Sequence, residues 1–290
     1  MFPVGLLTNE AYEGTEKLTR QHLRPLWEEN AEENFLKVQK TIMELPKFGR
    51  NKAGVVIGAG YGVEELVEEL SVLIDPKLCL CSFPPCTICT DKSLPLFVKN
   101  DIRPDFVVAL NTEATDAVKP EVWFKDVGKN TSLILPITAH RSHVRLWEQN
   151  DGGDIYWMVP ENIDSDLAMK YADRLNVPLI NRGSNSGEFA YNMAAFMACN
   201  PIVLIGMTYA FRSLFDVLKG QSSQNFEYHH FFVEGKNCYT TLPFMEQRTS
   251  FLETARVLSE AGIRTFNCSS GGILYDNYCE RANLRETICP

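Results

Sequence analysis

Short continuous apolar runs, each closed by a polar turn and followed by a stretch of helical period, organise most of this chain. The runs cover residues 54–57, 78–82, 106–110, 132–137, 155–159, 178–180 and 202–205. Runs of this length without alternation suit strands covered on both faces, as in a parallel sheet. Helical periodicity fills 63–73, 94–100, 165–175 and 187–199. Strands alternating with helices predict a doubly wound, mostly parallel α/β sheet of Rossmann-like type. Residues 212–247 are less regular, with a polar stretch at 221–224 that reads as an exposed loop. A last helix over 249–261, a strand over 264–267 and a turn over 269–272 complete the pattern.

The first 50 residues have a different texture. From 13 to 45 the apolar positions Leu23, Leu26, Phe35, Val38, Ile42 and Leu45 stand among Glu, Lys, Arg and Gln. This predicts one or two amphipathic helices with a break near Pro25, which cannot donate a backbone hydrogen bond inside a helix. The division is thus an N-terminal helical extension over 1–50 and an α/β domain over 51–290. The extension is expected to pack on the body or to join copies in a homo-oligomer.

Composition narrows the function. Hydrophobic residues make up 45% and charged residues 22% of 290, as in folded globular chains. No stretch approaches the roughly 20 apolar residues of a membrane span. The net charge of −9, without a basic stripe, argues against a nucleic-acid polymer or an anionic membrane as partner. The N-terminus lacks the basic start of an export signal, and nine cysteines are an odd number. A cytoplasmic, reducing setting with mostly free thiols is the expectation.

Ligands of open α/β sheets bind at the carboxyl ends of strands. Four loops are placed there. The first, Gly58-Ala59-Gly60-Tyr61-Gly62, stands between a strand and a helix start, where glycines and free amides can cradle phosphate. The alternative is a tight turn only. The G-x-G-x-G spacing is not the dinucleotide fingerprint, and the run 78–82 ends without a ribose-binding acid. The second loop carries Asn111 and Glu113 after the run 106–110. Asn111 either meets a ligand or satisfies its own turn. The third is Asn181-Arg182-Gly183-Ser184-Asn185-Ser186-Gly187, longer than one helix cap requires, although a cap alone is the alternative. The fourth is Gly206-Met207-Thr208-Tyr209. His140, Arg141, His143 and Arg145 follow the run 132–137. Of these, His140 and Arg141, with Arg182, are the candidates for phosphate contact; a solvated basic turn is the alternative.

Cys79, Cys81, Cys86 and Cys89 lie within eleven residues. A zinc or iron–sulfur site is one reading. The other, favoured by the apolar setting of Cys79 and Cys81, is that these thiols act as small hydrophobes.

Four ordered segments carry a family resemblance. VVIGAGYGVEEL begins at Val55, NDIRPDFVVALN at Asn100, GSNSGEFAYNMAAFMACNPIVLIGMTYAF at Gly183 and RTFNCSSGGILYD at Arg264. In this order they resemble the archaeal 6-hydroxymethyl-7,8-dihydropterin diphosphokinase (MptE-like) family. That family shares its core with the motility accessory factor (Maf) flagellin glycosylation proteins. The resemblance covers about 50–276 and implies a sialyltransferase-like α/β fold with a nucleotide in the strand-end crevice. It implies either transfer of a diphosphate from ATP to a pterin alcohol with magnesium, or transfer of a nucleotide-activated sugar. The chain departs from the family pattern where Tyr61-Gly62 replaces Pro-Ser. Asn111 and Thr208 each replace an acid, and Ser270 replaces Glu.

The resulting expectation is a nucleotide-binding transferase, diphosphokinase-like, with ATP as donor and a pterin-type alcohol as acceptor. Asn111, Glu113 and Thr208 are its candidate catalytic residues. Gly58, Gly60, Tyr61, Gly62, Asn111, Gly183, Ser184, Asn185, Ser186, Gly187, Gly206 and Thr208 are the candidate nucleotide contacts. Magnesium has few acids left to hold it, though Glu113 and Asp116 are near. A non-catalytic nucleotide-binding relative and a nucleotide-sugar glycosyltransferase are the alternatives.

Overall fold

The computed structural model describes residues 9–49, 52–75, 77, 84–111, 124–219, 227–233 and 235–289. A helix α1 (Asn9–Phe35) leads into a short strand β1 (Lys40–Thr41). The α/β body then runs β2 (Gly54–Ile57), α2 (Val63–Ile74), β3 (Cys86–Thr90), α3 (Leu94–Lys99), β4 (Phe106–Val108), β5 (Ser132–Pro136), α4 (Ser142–Gln149), β6 (Ile155–Pro160), α5 (Ser165–Leu175), β7 (Leu179–Ile180), α6 (Ser186–Phe196) and β8 (Ile202–Ile205). It closes with α7 (Leu214–Lys219), β9 (Tyr228–Val233), β10 (Lys236–Thr241), α8 (Leu242–Glu260), β11 (Thr265–Asn267), β12 (Glu280–Arg281) and α9 (Leu284–Ile288).

Ten strands form one sheet in the order β1-β6-β5-β4-β3-β2-β8-β11-β12, with β7 beside β6. Its pairings are parallel. This is the doubly wound, mostly parallel sheet the runs predict. The order marches from β2 out to β6, then returns to place β8 on the other side of β2. That reversal opens a crevice at the carboxyl ends of β2 and β8. The two strands are in level register from Gly54↔Ile202 to Ile57↔Ile205, so their end loops meet.

Alternate strand residues feed opposite cores. Val55, Ile57, Val107, Leu133 and Trp157 pack with α2, α4, α5 and Trp27. Val56, Ile88, Val108, Ile134 and Leu204 pack with Phe189, Tyr191 and Phe251 from α6 and α8.

Three departures from the sequence reading stand out, in the second strand, in helix α1 and in the stretch 212–247. The run 78–82 lies outside the described residues; the strand beside β2 is Cys86–Thr90, just after Pro84-Pro85. Cys79 and Cys81 are likewise outside, while Cys86 and Cys89 are free thiols in that strand. They point into different cores, one on each face of the sheet. Helix α1 passes through Pro25 without the expected break. Packing holds its last turns: Asn30 and Asn34 donate to the carbonyls of Ile137, Thr138 and Ala139, and Trp27 and Ala31 are buried. The irregular stretch 212–247 contains an antiparallel β9–β10 hairpin. β10 continues into α8 at Leu242 rather than 249, with Pro243 in the first turn.

Lys40 and Thr41, in the expected extension, add β1 to the sheet edge beside β6.

Candidate functional site

The loop after β2 and the loop after β8 are stitched to each other. The Gly58 amide donates to Ile205 O at 2.9 Å, and the Gly60 amide to Gly206 O at 2.7 Å. A Cβ at Gly58 or at Gly60 would stand 2.5 Å from Gly206 O. These two glycines therefore serve the approach of two backbones, and their amides are already spent. Gly60→Ala should cost about 1–3 kcal/mol through overpacking against an immobile carbonyl. Chemical denaturation would show it as a lower midpoint at unchanged slope, and an unaltered midpoint would contradict the contact.

Behind this pair runs the loop 268–273. Met207 N donates to Ser269 Oγ at 3.0 Å, and Ile273 N to Thr208 O at 2.9 Å. Gly272, at φ +98°, lies where a Cβ would be 2.2 Å from Thr208 O. The glycine pair near the C-terminus thus lets a third loop support the second.

The third sequence-predicted loop is built around Glu188. This carboxylate is fully buried in the first turn of α6. Its oxygens accept from Ser184 N at 2.9 Å, Ser184 Oγ at 2.8 Å, Ser250 Oγ at 3.1 Å and Thr254 Oγ at 3.4 Å. Asn185 caps α6, its Oδ1 accepting from Glu188 N at 3.0 Å, while its Nδ2 donates to Tyr209 OH at 3.2 Å. Ser184 and Asn185 hence largely hold the loop. The Ser186 and Gly187 amides donate to nothing among the described residues and face the α6 dipole end, where anions are favoured.

These loops converge on one crevice of about 660 Å³. It brings together Gly58, Gly60, Tyr61, Asn111, Arg182, Gly183, Ser184, Asn185, Ser186, Gly187, Gly206 and Thr208, all singled out in the sequence. Thr208 is almost wholly buried, and its hydroxyl donates to Ala210 O at 3.2 Å. Burial lowers the pKa of the Arg182 guanidinium, whose Nε donates to Asn162 Oδ1 at 3.2 Å. Gly62 stands one step back, as the left-handed N-cap of α2. His140 and Arg141 do not join the crevice: His140 Nδ1 pairs with Ser142 Oγ, and Arg141 forms an ion pair with Glu33 at 2.6 Å. The helix α4 begins there instead of a basic turn. Glu113 and Asp116 lie outside the described residues.

The crevice also holds a carboxyl that the sequence reading passed over. Asp91 follows β3 and is fully buried at the wall with Thr90 and Lys92. Lys92 N donates to its Oδ1 at 2.9 Å, and Asn111 Nδ2 to its Oδ2 at 3.3 Å. Burial pushes the Asp91 carboxyl up to about 6. The strand misplaced to 78–82 is the reason it was missed; with β3 at Cys86–Thr90, an acid does end the second strand of the body. The other walls come from Phe211, Arg212, Phe244 and Gln247, on segments the sequence left irregular.

A model of the 6-hydroxymethylpterin diphosphokinase MptE-like family matches residues 29–213. The chain belongs to that family. The match covers β1 to β8 and the crevice loops up to residue 213, while Asp216, Phe244 and Gln247 of the crevice lie beyond it. A solved structure of the MAf glycosyltransferase from Magnetospirillum magneticum AMB-1 shares the fold, with a TM-score of 0.58 at 16% identity. That alignment covers 82% of this chain and 34% of the glycosyltransferase chain, so this member spans about a third of the larger protein. No curated protein sequence matches the chain. The family resemblance is thereby confirmed; three of its four segments lie inside the matched span, and the one beginning at Arg264 lies outside it. Among the described residues no helix is long and apolar enough to cross a membrane.

Proposed function

We propose that this chain is a nucleotide-dependent transferase that moves a diphosphate from ATP to a small alcohol of pterin type. The observation that carries the reading is the convergence of the four predicted loops and Asp91 on one crevice at the ends of β2 and β8. Its volume lies within the range of cofactor pockets, roughly 300–1,000 Å³. In this reading the Ser186 and Gly187 amides and the α6 dipole hold phosphate oxygens, with Arg182 nearby. Asn111 and Asp91 orient the ribose or the attacking alcohol. Fixing donor and acceptor in line supplies much of the rate in phosphoryl transfer.

Magnesium sites on nucleotides typically use one or two protein carboxylates plus substrate phosphates. Asp91, backed by Asn111, fits that donor set; its raised pKa marks a buried carboxyl without a cation partner strong enough to keep it charged. When bound, magnesium would neutralise charge on the phosphates. AMP release from ATP with the pterin alcohol and magnesium tests the reading. Turnover abolished in Asp91→Ala, with folding intact, is the expected result; no turnover in the folded wild type rejects it.

A second reading, transfer from a nucleotide sugar, is favoured by the scarcity of acids. Among the described residues no group of three His, Cys, Asp or Glu could hold a metal. A thermal-shift comparison of ATP with CMP, UDP and GDP sugars separates the two, because the true donor raises apparent stability with dose. A third reading, a nucleotide-binding regulator without chemistry, predicts a shift with no turnover for any donor.

A further inference from the structure

Beside the crevice lies a second cavity of about 410 Å³, lined by Tyr61, Glu65, Arg212, Lys236, Asn237 and Ser270. Tyr61 and Arg212 line both spaces, so they form the partition between them. The Tyr61 side of this partition is fixed: its hydroxyl pairs with Cys238 Sγ at 3.4 Å, and a Cβ on Gly271 would be 2.6 Å from it. The Arg212 guanidinium stands 5.8 Å from the centre of the Tyr61 ring. Lys236 Nζ donates to Ser270 O at 3.1 Å. Neither cation is ion-paired with a carboxylate among the described residues.

We infer that this second cavity is a binding site for a small hydroxylated molecule bearing a phosphate-class oxyanion. Two cations of different kinds line it, the planar guanidinium fork of Arg212 and the Lys236 ammonium, neither ion-paired with a carboxylate among the described residues. Both form charge-assisted hydrogen bonds to phosphate oxygens. The Glu65 carboxylate, the Asn237 amide nitrogen and the Ser270 hydroxyl supply acceptors and donors for hydroxyl groups, the Asn237 amide oxygen being paired with His230 Nε2 at 2.8 Å. Glu65 also limits the charge: it repels anions, so the site takes one anionic group near Arg212 and Lys236 with a neutral polar body toward Glu65. Lys236, Asn237 and Ser270 lie beyond residue 213, outside the span matched by the family model. The specificity of this cavity therefore belongs to the C-terminal part of this chain. The site adjoins the proposed nucleotide crevice through Arg212, which places an acceptor next to the transferred group if the transferase reading holds. The anion site itself does not depend on that reading.

Isothermal titration of the full chain with inorganic pyrophosphate, at low salt and without magnesium, tests the inference. The wild type should bind saturably. Lys236→Met should weaken binding at least fivefold, and Glu65→Gln, at an exposed position, should tighten it two- to threefold. Saturating AMP should leave the pyrophosphate affinity within about threefold, since the two ligands occupy separate spaces. Absence of binding, equal affinity in all three proteins, or displacement of pyrophosphate by AMP each overturns the second site. Failure of AMP to bind counts against the nucleotide crevice alone, and the Lys236 and Glu65 variants still decide the anion site.

Discussion

Asp91→Asn should raise stability at pH 8 by as much as about 3 kcal/mol and leave it nearly unchanged below pH 4. Burial holds this carboxyl near 6 in the folded protein, against an ordinary value of 3.8. Between these values the folded state keeps a proton that the unfolded chain has released. Stability therefore falls as pH rises through that window, and above it the full penalty of a buried carboxylate is present. Asparagine removes the penalty, keeps an acceptor for the Lys92 amide and donates to Asn111 once that side-chain amide is reversed. His143 works in the opposite direction. Burial lowers it to about 4, so it stays neutral in the fold while the unfolded chain takes up a proton below 6.5. Its contribution is present above 6.5 and is lost as pH falls toward 4. The wild type should thus show a nearly flat profile between pH 4 and 6.5, whereas Asp91→Asn should show stability rising with pH. Urea unfolding at pH 4, 5, 6 and 8 measures both curves. A pH-independent gap between the two proteins would dismiss the buried carboxyl as the cause. A stabilised but inactive variant would show that the site maintains Asp91 at a cost to the fold.

The parts of this molecule that were legible in its sequence are those where one local signal decides the outcome. Ile202–Ile205 reads as a strand because a continuous apolar run has no other use at that length. Ser165–Leu175 reads as a helix from period and from Asp164, whose carboxylate caps it. The crevice was legible as loops because glycine, serine and asparagine cluster after β2 and after β7, and Gly206 closes β8. Their roles were less legible than their positions. Gly58 and Gly60 look like a phosphate cradle, yet their amides bind the neighbouring loop, a pairing that exists only once β2 and β8 are adjacent in space. Asp91 was hidden because two apolar cysteine-containing stretches, separated by Pro84-Pro85, competed for one strand. The N-terminal helix was misread at Pro25 because its stability comes from Asn30 and Asn34 reaching carbonyls more than a hundred residues away. The β9–β10 hairpin was hidden because β9 places Tyr228 and Phe232 at exposed positions, so its sequence lacks the polar-out alternation of a half-buried strand.

Glu188→Ala should be the most destabilising of these changes, at about 3–5 kcal/mol, because it strands buried donors from three directions. The carboxylate ties the Ser184 amide and hydroxyl to Ser250 and Thr254 on α8. It also fills the space beside Gly183, where a Cβ would lie 2.4 Å from Glu188 Cγ. Nothing else among the described residues joins the loop 183–187 to α8 through so many bonds. Glu188→Gln keeps the shape but turns one acceptor into a donor facing donors, and should cost about 1–2 kcal/mol. The conservative variant is the informative one, because it stays folded. Its loop should loosen, so nucleotide affinity should fall at least tenfold while the midpoint of denaturation falls only modestly. Pairing Glu188→Gln with Ser250→Ala should give less than the sum of the single losses, since the second change removes a donor that the first left facing an amide. Additive losses would place Ser250 outside the network. Full affinity in Glu188→Gln would mean that the loop is held by Asn185 and its bond to Tyr209 instead, and that the buried carboxylate serves only the packing of α6 against α8.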